Sequence, residues 1–163
     1  MDVTLNKDKI SPFNNGVETG LRILCILNES FPLAFDLPKL VYLDYITVHS
    51  GDIDNSITSL HTAVPYRNGE ILVRSSIIEN GIKLFIEYGL IEIVYHESGI
   101  QYKATDYSTP FLESLEEEYL IELIYRAKWV ASNYSKFSFN QLKQLVNPKM
   151  NKVRREFNIE LLQ

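Results

Sequence analysis

The sequence predicts a mainly α-helical fold with one small β-hairpin, in the order of a winged-helix domain followed by C-terminal helices. Apolar residues recur at helical spacing through three successive segments, 17–31, 37–50 and 69–88. Two strand-like runs around a glycine-containing turn follow the third segment directly. Three helices, a hairpin and further helices are typical of a winged-helix domain. The predicted divisions are an N-terminal tail (1–16), a winged-helix-like domain (17–135) and a basic helical extension (136–163).

The first two helices have clear boundaries in the sequence. Apolar residues cover most sides of segment 17–31, which predicts a central helix that Pro32 ends. Asp36 is a preferred N-cap residue, and Pro38 suits the first turn of the second helix. Gly51 ends that helix.

The next part of the chain predicts a loop and then a third helix. Residues 51–69 contain few helix formers, so we expect an ordered loop with one short helix at 56–60. The third helix, 69–88, carries an apolar stripe at spacings of four, three, four and three, and Gly89 ends it. The stripe consists of Ile71, Ser75, Ile78, Ile82 and Phe85.

The C-terminal half predicts the hairpin and three more helices. The hairpin strands are 90–95 and 100–105. Thr109 and Pro110 suit the start of a long helix, which we expect to continue to about residue 133. Ser138 and Gln141 match a capping box before a shorter helix. That helix is expected over 139–146, ended by Pro148, with a last helical segment at 150–162.

Composition limits the class of protein. The 163 residues are 45% hydrophobic, with a formal net charge of −5 and a single cysteine. One cysteine excludes an internal disulfide framework and a cysteine-based zinc site. The sequence has no apolar signal-peptide region and no run long enough to span a membrane. We therefore expect a soluble, cytoplasmic protein.

Basic residues concentrate near the C-terminus. Residues 126–155 contain eight basic residues and no acidic one, whereas the rest of the chain has 8 basic and 21 acidic residues. The eight are Arg126, Lys128, Lys136, Lys143, Lys149, Lys152, Arg154 and Arg155. This surface either contacts nucleic acid or an acidic partner, or is a solvated face that balances the acidic part. The residues predicted to make such contacts are Lys143, Lys149, Lys152, Arg154 and Arg155.

No residue pattern predicts catalysis, a cofactor or a metal. Asp44, His49 and Asp52 lie close in sequence, but they lack the spacing of a known metal motif, and His49 suits a hydrogen-bonding role at a helix end. Cys25 lies in an apolar helical run, which predicts a buried, unreactive thiol. Glycine-rich phosphate-binding loops are absent from the sequence. We therefore expect a protein that is not an enzyme.

Segment 48–74 is the predicted partner-binding region. It is richer in charged, histidine and glycine residues than a connecting loop requires. One interpretation is structural: Arg67 and Arg74 pair with Glu70 and Asp52 and hold the loop to the third helix. The other is that an ordered loop on a rigid scaffold contacts a partner. The residues predicted for that contact are His49, Asp52, His61, Arg67, Glu70 and Arg74.

The charge pattern favours protein binding over DNA reading. In a winged helix, the helix before the hairpin enters the major groove. Here that helix, 69–88, has only Arg74 and Lys83 as basic residues, and the hairpin turn has none. Reading DNA requires dense phosphate contacts as well as base contacts. A DNA-binding transcriptional regulator remains the alternative, supported by the basic segment 126–155.

Short motifs in a fixed order resemble the middle component, type 2, of bacterial ABC-three-component systems. The resemblance covers about residues 11–135. Its motifs include Ser11-Pro12-Phe13, Glu18-Thr19-Gly20-Leu21-Arg22, Leu43-Asp44-Tyr45, Val48-His49-Ser50-Gly51-Asp52, Ser59-Leu60-His61 and residues 67–74. The resemblance implies a small accessory protein between an ABC/SMC-like ATPase and a separate effector. It also implies a Lamassu-like defence module against phages or plasmids, with no catalytic residues in this chain.

Overall fold

A computed structural model of the chain describes residues 16–61 and 67–160, with side chains for all of these except 67–70, 72 and 150–160. Its elements are α1 (Gly16–Glu29), α2 (Leu37–Val48), α3 (Ser50–Ile53), α4 (Arg67–Glu87), β1 (Ile91–His96), β2 (Gly99–Ala104), α5 (Ser108–Glu113), α6 (Glu118–Tyr134) and α7 (Phe139–Glu160). The predicted class, mainly helical with one hairpin, is confirmed. The predicted tail and its anchor at Phe13 lie outside the described residues.

Helix α1 is the centre of the core. Its residues from Arg22 to Leu27 are all buried, and α1 packs against α4 on one side and α6 on another. Burial on several sides explains why its apolar residues do not form a single stripe. The predicted central position is confirmed, and the helix ends at Glu29, before Pro32.

Two glycines allow α1 and α4 to approach closely. A Cβ atom on Gly81 would lie 2.7 Å from the backbone nitrogen of Gly20, and one on Gly20 would lie 2.5 Å from the Phe85 ring. Real Cβ atoms do not come this close to other heavy atoms. The absence of both side chains therefore sets the distance between the two central helices.

The start of α2 is as predicted, but the short helix after it is not. The Asp36 carboxylate accepts a hydrogen bond from the Lys39 amide at 3.0 Å, which is an N-cap. The short helix is α3, at 50–53, whereas we expected it at 56–60. The amide and hydroxyl of Ser56 both donate to Asp54 Oδ1, at 2.9 and 2.6 Å. With the Ile57 amide on the Asp54 carbonyl at 3.1 Å, these bonds close a turn over 54–57 in place of the expected helix.

The hairpin is confirmed. Strands β1 and β2 are antiparallel, with Ile91 opposite Ala104 and His96 opposite Gly99. Gly89, at the end of α4, has φ = +73°, a conformation that favours glycine and ends the helix. Ile91 and Ala104 are buried at the base of the hairpin, which attaches it to the core.

The predicted long helix at 109–133 is wrong, because the structure divides it into α5 and α6. The Ser114 hydroxyl donates to the Phe111 carbonyl at 2.6 Å, a local bond that competes with helix continuation. Glu117 is extended and Glu118 lies in the first turn of α6. Acidic residues stabilise the start of a helix, so the three glutamates at 116–118 mark the start of α6.

Helix α7 confirms its predicted start and corrects its predicted end. Ser138 and Gln141 form the reciprocal bonds of a capping box, at 2.8 and 3.2 Å. The helix then continues through Pro148 to residue 160 instead of ending there. Proline in a helix removes one hydrogen bond, at a cost of about 3 kcal/mol. Packing of Leu142 and Val146, which are fully buried, fixes the helix up to that point.

None of the helices within 16–61 and 67–160 has the length and hydropathy needed to cross a membrane.

Candidate functional site

A buried ion pair joins the two N-terminal helices. Arg22 of α1 is 2% exposed and Asp44 of α2 is fully buried. Arg22 Nε donates to Asp44 Oδ1 at 2.8 Å, and Nη2 donates to Oδ2 at 3.3 Å. This two-point contact suits the planar guanidinium and fixes the relative position of α1 and α2.

A second arginine contacts the same carboxylate. Arg74 of α4 is 7% exposed, and its Nη1 donates to Asp44 Oδ2. Burial alone would raise the pKa of Asp44, but the charges and hydrogen bonds of Arg22 and Arg74 outweigh it and hold that pKa at about 2. Asp44 is therefore ionised at neutral pH and links three helices.

A histidine, a tyrosine and a glutamate extend this network to α6. Glu18 Oε1 lies 3.7 Å from Arg22 Nη1 and 4.0 Å from His61 Nε2. His61 Nε2 is 3.0 Å from the Tyr119 hydroxyl, and Tyr119 also hydrogen-bonds Glu18. Burial, with the charge of Arg22, lowers the pKa of His61 to about 4, and burial raises the pKa of Tyr119 above its usual range. His61 is therefore neutral at physiological pH.

The end of α2 and the following loop form the third part of the network. The Tyr45 hydroxyl donates to Asp52 Oδ2 at 3.0 Å, and the ring of His49 lies 4.8 Å from the Tyr45 ring. His49 caps the C-terminal end of α2 with 1% exposure. The Gly51 amide donates to Ser59 Oγ at 2.9 Å, which holds the loop against α3.

The structure thus brings together four of the six residues predicted for partner binding. His49, Asp52, His61 and Arg74 lie in one partly to fully buried network, which we call the Asp44 network, with Glu18, Arg22, Asp44, Tyr45 and Tyr119. The backbones of Arg67 and Glu70 lie in the first turn of α4, and their side chains lie outside the described set. Arg74, expected to pair with Asp52 or Glu70, binds Asp44.

The residue patterns predict no role for Arg22, Glu18 or Tyr119, and they place Asp44 only among candidate metal ligands. The signal was present: Arg22 and Asp44 are charged residues inside otherwise apolar helical runs. A charge that a helix buries needs a partner of opposite charge. Two such residues in neighbouring helices are therefore candidates for a pair.

The alternatives of a metal site and a reactive thiol are not supported by geometry. Within the part of the chain that the structure describes, His, Cys, Asp and Glu form no group of three that could hold a metal ion. Cys25 is fully buried, and burial raises the pKa of its thiol to about 12. This environment fits the predicted unreactive thiol.

The basic segment divides into an interior and a surface part. Arg126 is 7% exposed and donates two hydrogen bonds to the Thr58 carbonyl, at 3.1 and 2.7 Å, so it holds the loop to α6. Arg126 therefore does not contribute to an exposed basic surface. Lys143 and Lys149 of α7 are exposed, together with Lys128 and Lys136. The side chains of Lys152, Arg154 and Arg155 lie outside the described set.

The pH dependence of stability tests the environment of His61. Its pKa falls from 6.5 to about 4 on folding, so the stability it contributes is complete above pH 6.5 and is lost as the pH falls through 4. One pKa unit corresponds to about 1.4 kcal/mol, so the loss is at most about 3 kcal/mol. Urea unfolding between pH 7 and 4 should show this decline. His61→Gln should flatten it. An equal decline in His61→Gln would contradict the assignment.

The chain also matches the sequence model of a known family. The family described as ABC-three component (ABC-3C) system Middle Component 2 matches residues 12–156. The match extends beyond residue 135, where the resemblance was expected to end, and includes most of α7. No curated protein and no solved structure matches the chain.

Proposed function

We propose that this chain, which belongs to the ABC-three component system Middle Component 2 family, is a non-enzymatic accessory subunit that links an ABC/SMC-like ATPase to an effector. The assembly would act as a Lamassu-like defence module against phages or plasmids in the cytoplasm. Membership of a middle-component family supports assembly with other components of such a system.

The Asp44 network carries the structural side of the proposal. The network contains histidine, carboxylate, arginine and tyrosine side chains, which are the usual candidates for catalysis. Here these side chains contact one another in the interior of the protein. Contacts of this kind fix α1, α2, α4 and α6 as one scaffold. A scaffold with fixed surfaces suits a subunit whose task is to hold partners.

Co-purification tests this proposal. The tagged chain, expressed with the ATPase and effector of its own system, should retain both through affinity and size-exclusion steps. The tag alone is the control. Elution of the chain by itself, with neither protein, would contradict the proposal.

A winged-helix DNA-binding regulator is the second candidate, favoured by the hairpin that directly follows α4. Two contacts of α4 weigh against it. The side chain of Arg74 is buried and binds Asp44. Lys83 is exposed, and its Nζ lies 3.7 Å from Glu79 Oε1. Both basic residues predicted on the DNA-reading helix therefore have acidic partners within the chain.

The exposed lysines of α7 support a contact with DNA or an acidic partner in the assembled complex. Reversing Lys149, Lys152, Arg154 and Arg155 to Glu should weaken DNA retention or assembly at least tenfold at low salt. The lone chain should bind duplex DNA weakly, with no sequence preference. Binding is measured by fluorescence anisotropy across a salt titration, and Lys83→Glu on α4 is the control. If the four reversals leave the complex unaffected, the basic residues of α7 are only a solvated surface. Tight, sequence-specific binding of DNA by the lone chain would favour the regulator.

A further inference from the structure

The outer half of the hairpin has an apolar face that the core does not cover. Side chains of alternate residues lie on one face of a strand, so Ile91, Ile93 and Tyr95 share a face. At the base, Ile91 is 2% exposed, whereas Ile93 is 38% and Tyr95 is 82% exposed. Ile100, opposite Tyr95 on β2, is 48% exposed. The apolar face therefore begins in the core and continues into solvent.

The hydrogen-bond register shows which way the backbone of β1 faces. Tyr102 of β2 exchanges two backbone hydrogen bonds with Phe35, at 2.8 and 2.9 Å, so its amide and carbonyl point away from β1. In an antiparallel pair, the residue opposite Tyr102 must then direct its own amide and carbonyl away from β2. That residue is Ile93, and Tyr95, two positions later, follows the same rule. Both backbones face the outer edge of β1.

This edge is open among the residues that the structure describes, where the sheet has only two strands, in the order β1–β2. Soluble proteins protect edge strands with proline, lysine, bulges or short length. Strand β1 has six residues, contains neither proline nor lysine, and pairs with β2 without a bulge. An edge without these protections, beside exposed apolar side chains, is suited to strand addition.

The charges around the edge indicate the chemistry of the strand it accepts. Residues 84–102 contain no lysine or arginine but three glutamates, Glu87, Glu92 and Glu97, all exposed. Glu92 lies on the polar face of the hairpin, 3.8 Å from Lys103 of β2. A complementary strand would carry apolar residues toward Ile93 and Tyr95 and basic residues on its opposite face.

We propose that the outer edge of β1 binds an extended segment with alternating apolar and basic residues from another component of the ABC-3C system. The segment pairs through the backbones of Ile93 and Tyr95. This inference rests on the proposed function, because it takes the partner to be a component of the same assembly.

A proline substitution tests the outer edge of β1 without removing a hydrogen bond of the hairpin itself. The Tyr95 amide points outward, so Tyr95→Pro removes a donor for the incoming strand without removing a β1–β2 bond. We expect Tyr95→Pro to reduce the amount of co-purified partner at least tenfold relative to the wild-type chain. Gln101→Ala, on the opposite face of the hairpin, is the matched control and should retain the partner. If Tyr95→Pro lowers the melting temperature, Tyr95→Lys replaces it, because a lysine there puts a charge against the apolar residues of the incoming strand and keeps the ladder.

Hydrogen exchange gives a second readout on the wild-type complex. The amides of Ile93 and Tyr95 should exchange at least tenfold more slowly in the complex than in the lone chain. Equal partner retention by the folded Tyr95 variants, or unchanged exchange at both amides, would overturn the inference while leaving the proposed function in place. Failure of the wild-type chain to retain any component would instead overturn the proposed function. A lone chain that forms a dimer, lost on Tyr95→Pro, would show that the edge binds a second copy and would also overturn the inference.

Discussion

Asp44→Asn is expected to lower the free energy of unfolding by about 3–5 kcal/mol. The substitution keeps the shape of the side chain but removes the negative charge that Arg22 and Arg74 share. Both guanidinium groups would then remain buried without the charge of Asp44, and the loss of one partner of a buried ion pair costs more than the pair itself contributes. Urea unfolding, followed by the fluorescence of Trp129 and by circular dichroism, measures the change.

Two further variants make this test specific. Asp106→Asn, the same substitution at an exposed position, should change stability by less than about 0.5 kcal/mol. Arg74→Met should also destabilise the protein, and the double variant with Asp44→Asn should lose clearly less than the sum of the two single losses. A loss below about 1 kcal/mol for Asp44→Asn would contradict the account of the Asp44 network.

Gly81→Ala is expected to cost about 1–3 kcal/mol, although alanine is the better helix former. Its Cβ would lie 2.7 Å from the Gly20 backbone nitrogen and 2.8 Å from the Gly16 carbonyl oxygen. Backbone atoms on a central helix cannot move aside as a flexible side chain does, so α1 and α4 must separate. Thermal and urea unfolding measure the loss.

Gly16→Ala is the matched control, because a Cβ there meets no atom within 4 Å. It should leave stability unchanged or raise it slightly. Equal stability of Gly81→Ala and the wild-type protein would show that the helices are not held at the contact distance described.

Features that depend on neighbouring residues were predicted from the sequence. Asp36 caps α2, Gly89 ends α4, and Ser138 with Gln141 caps α7. Each of these is a hydrogen bond or a backbone conformation within a few residues, so the local sequence contains the information.

Features that depend on distant residues were not predicted from the sequence. Apolar periodicity continues through 109–133, yet the helix is interrupted at 114–117, and α7, which packs against α2, continues through Pro148. In the site, His49 and Asp52 are close in sequence, but Arg22 binds Asp44 across 22 positions and His61 meets Tyr119 across 58. Spacing along the chain identifies the segments that matter and cannot identify such partners.

Purification of the ATPase with and without this chain tests whether the chain links the proposed ATPase and effector. The ATPase is tagged and purified from cells that express the ATPase, the effector and this chain, and from matched cells without this chain. Native mass spectrometry identifies what the ATPase retains. We predict that the effector is retained only when this chain is present, in one assembly that contains all three. Retention of the same amount of effector without this chain would contradict its proposed role as the link.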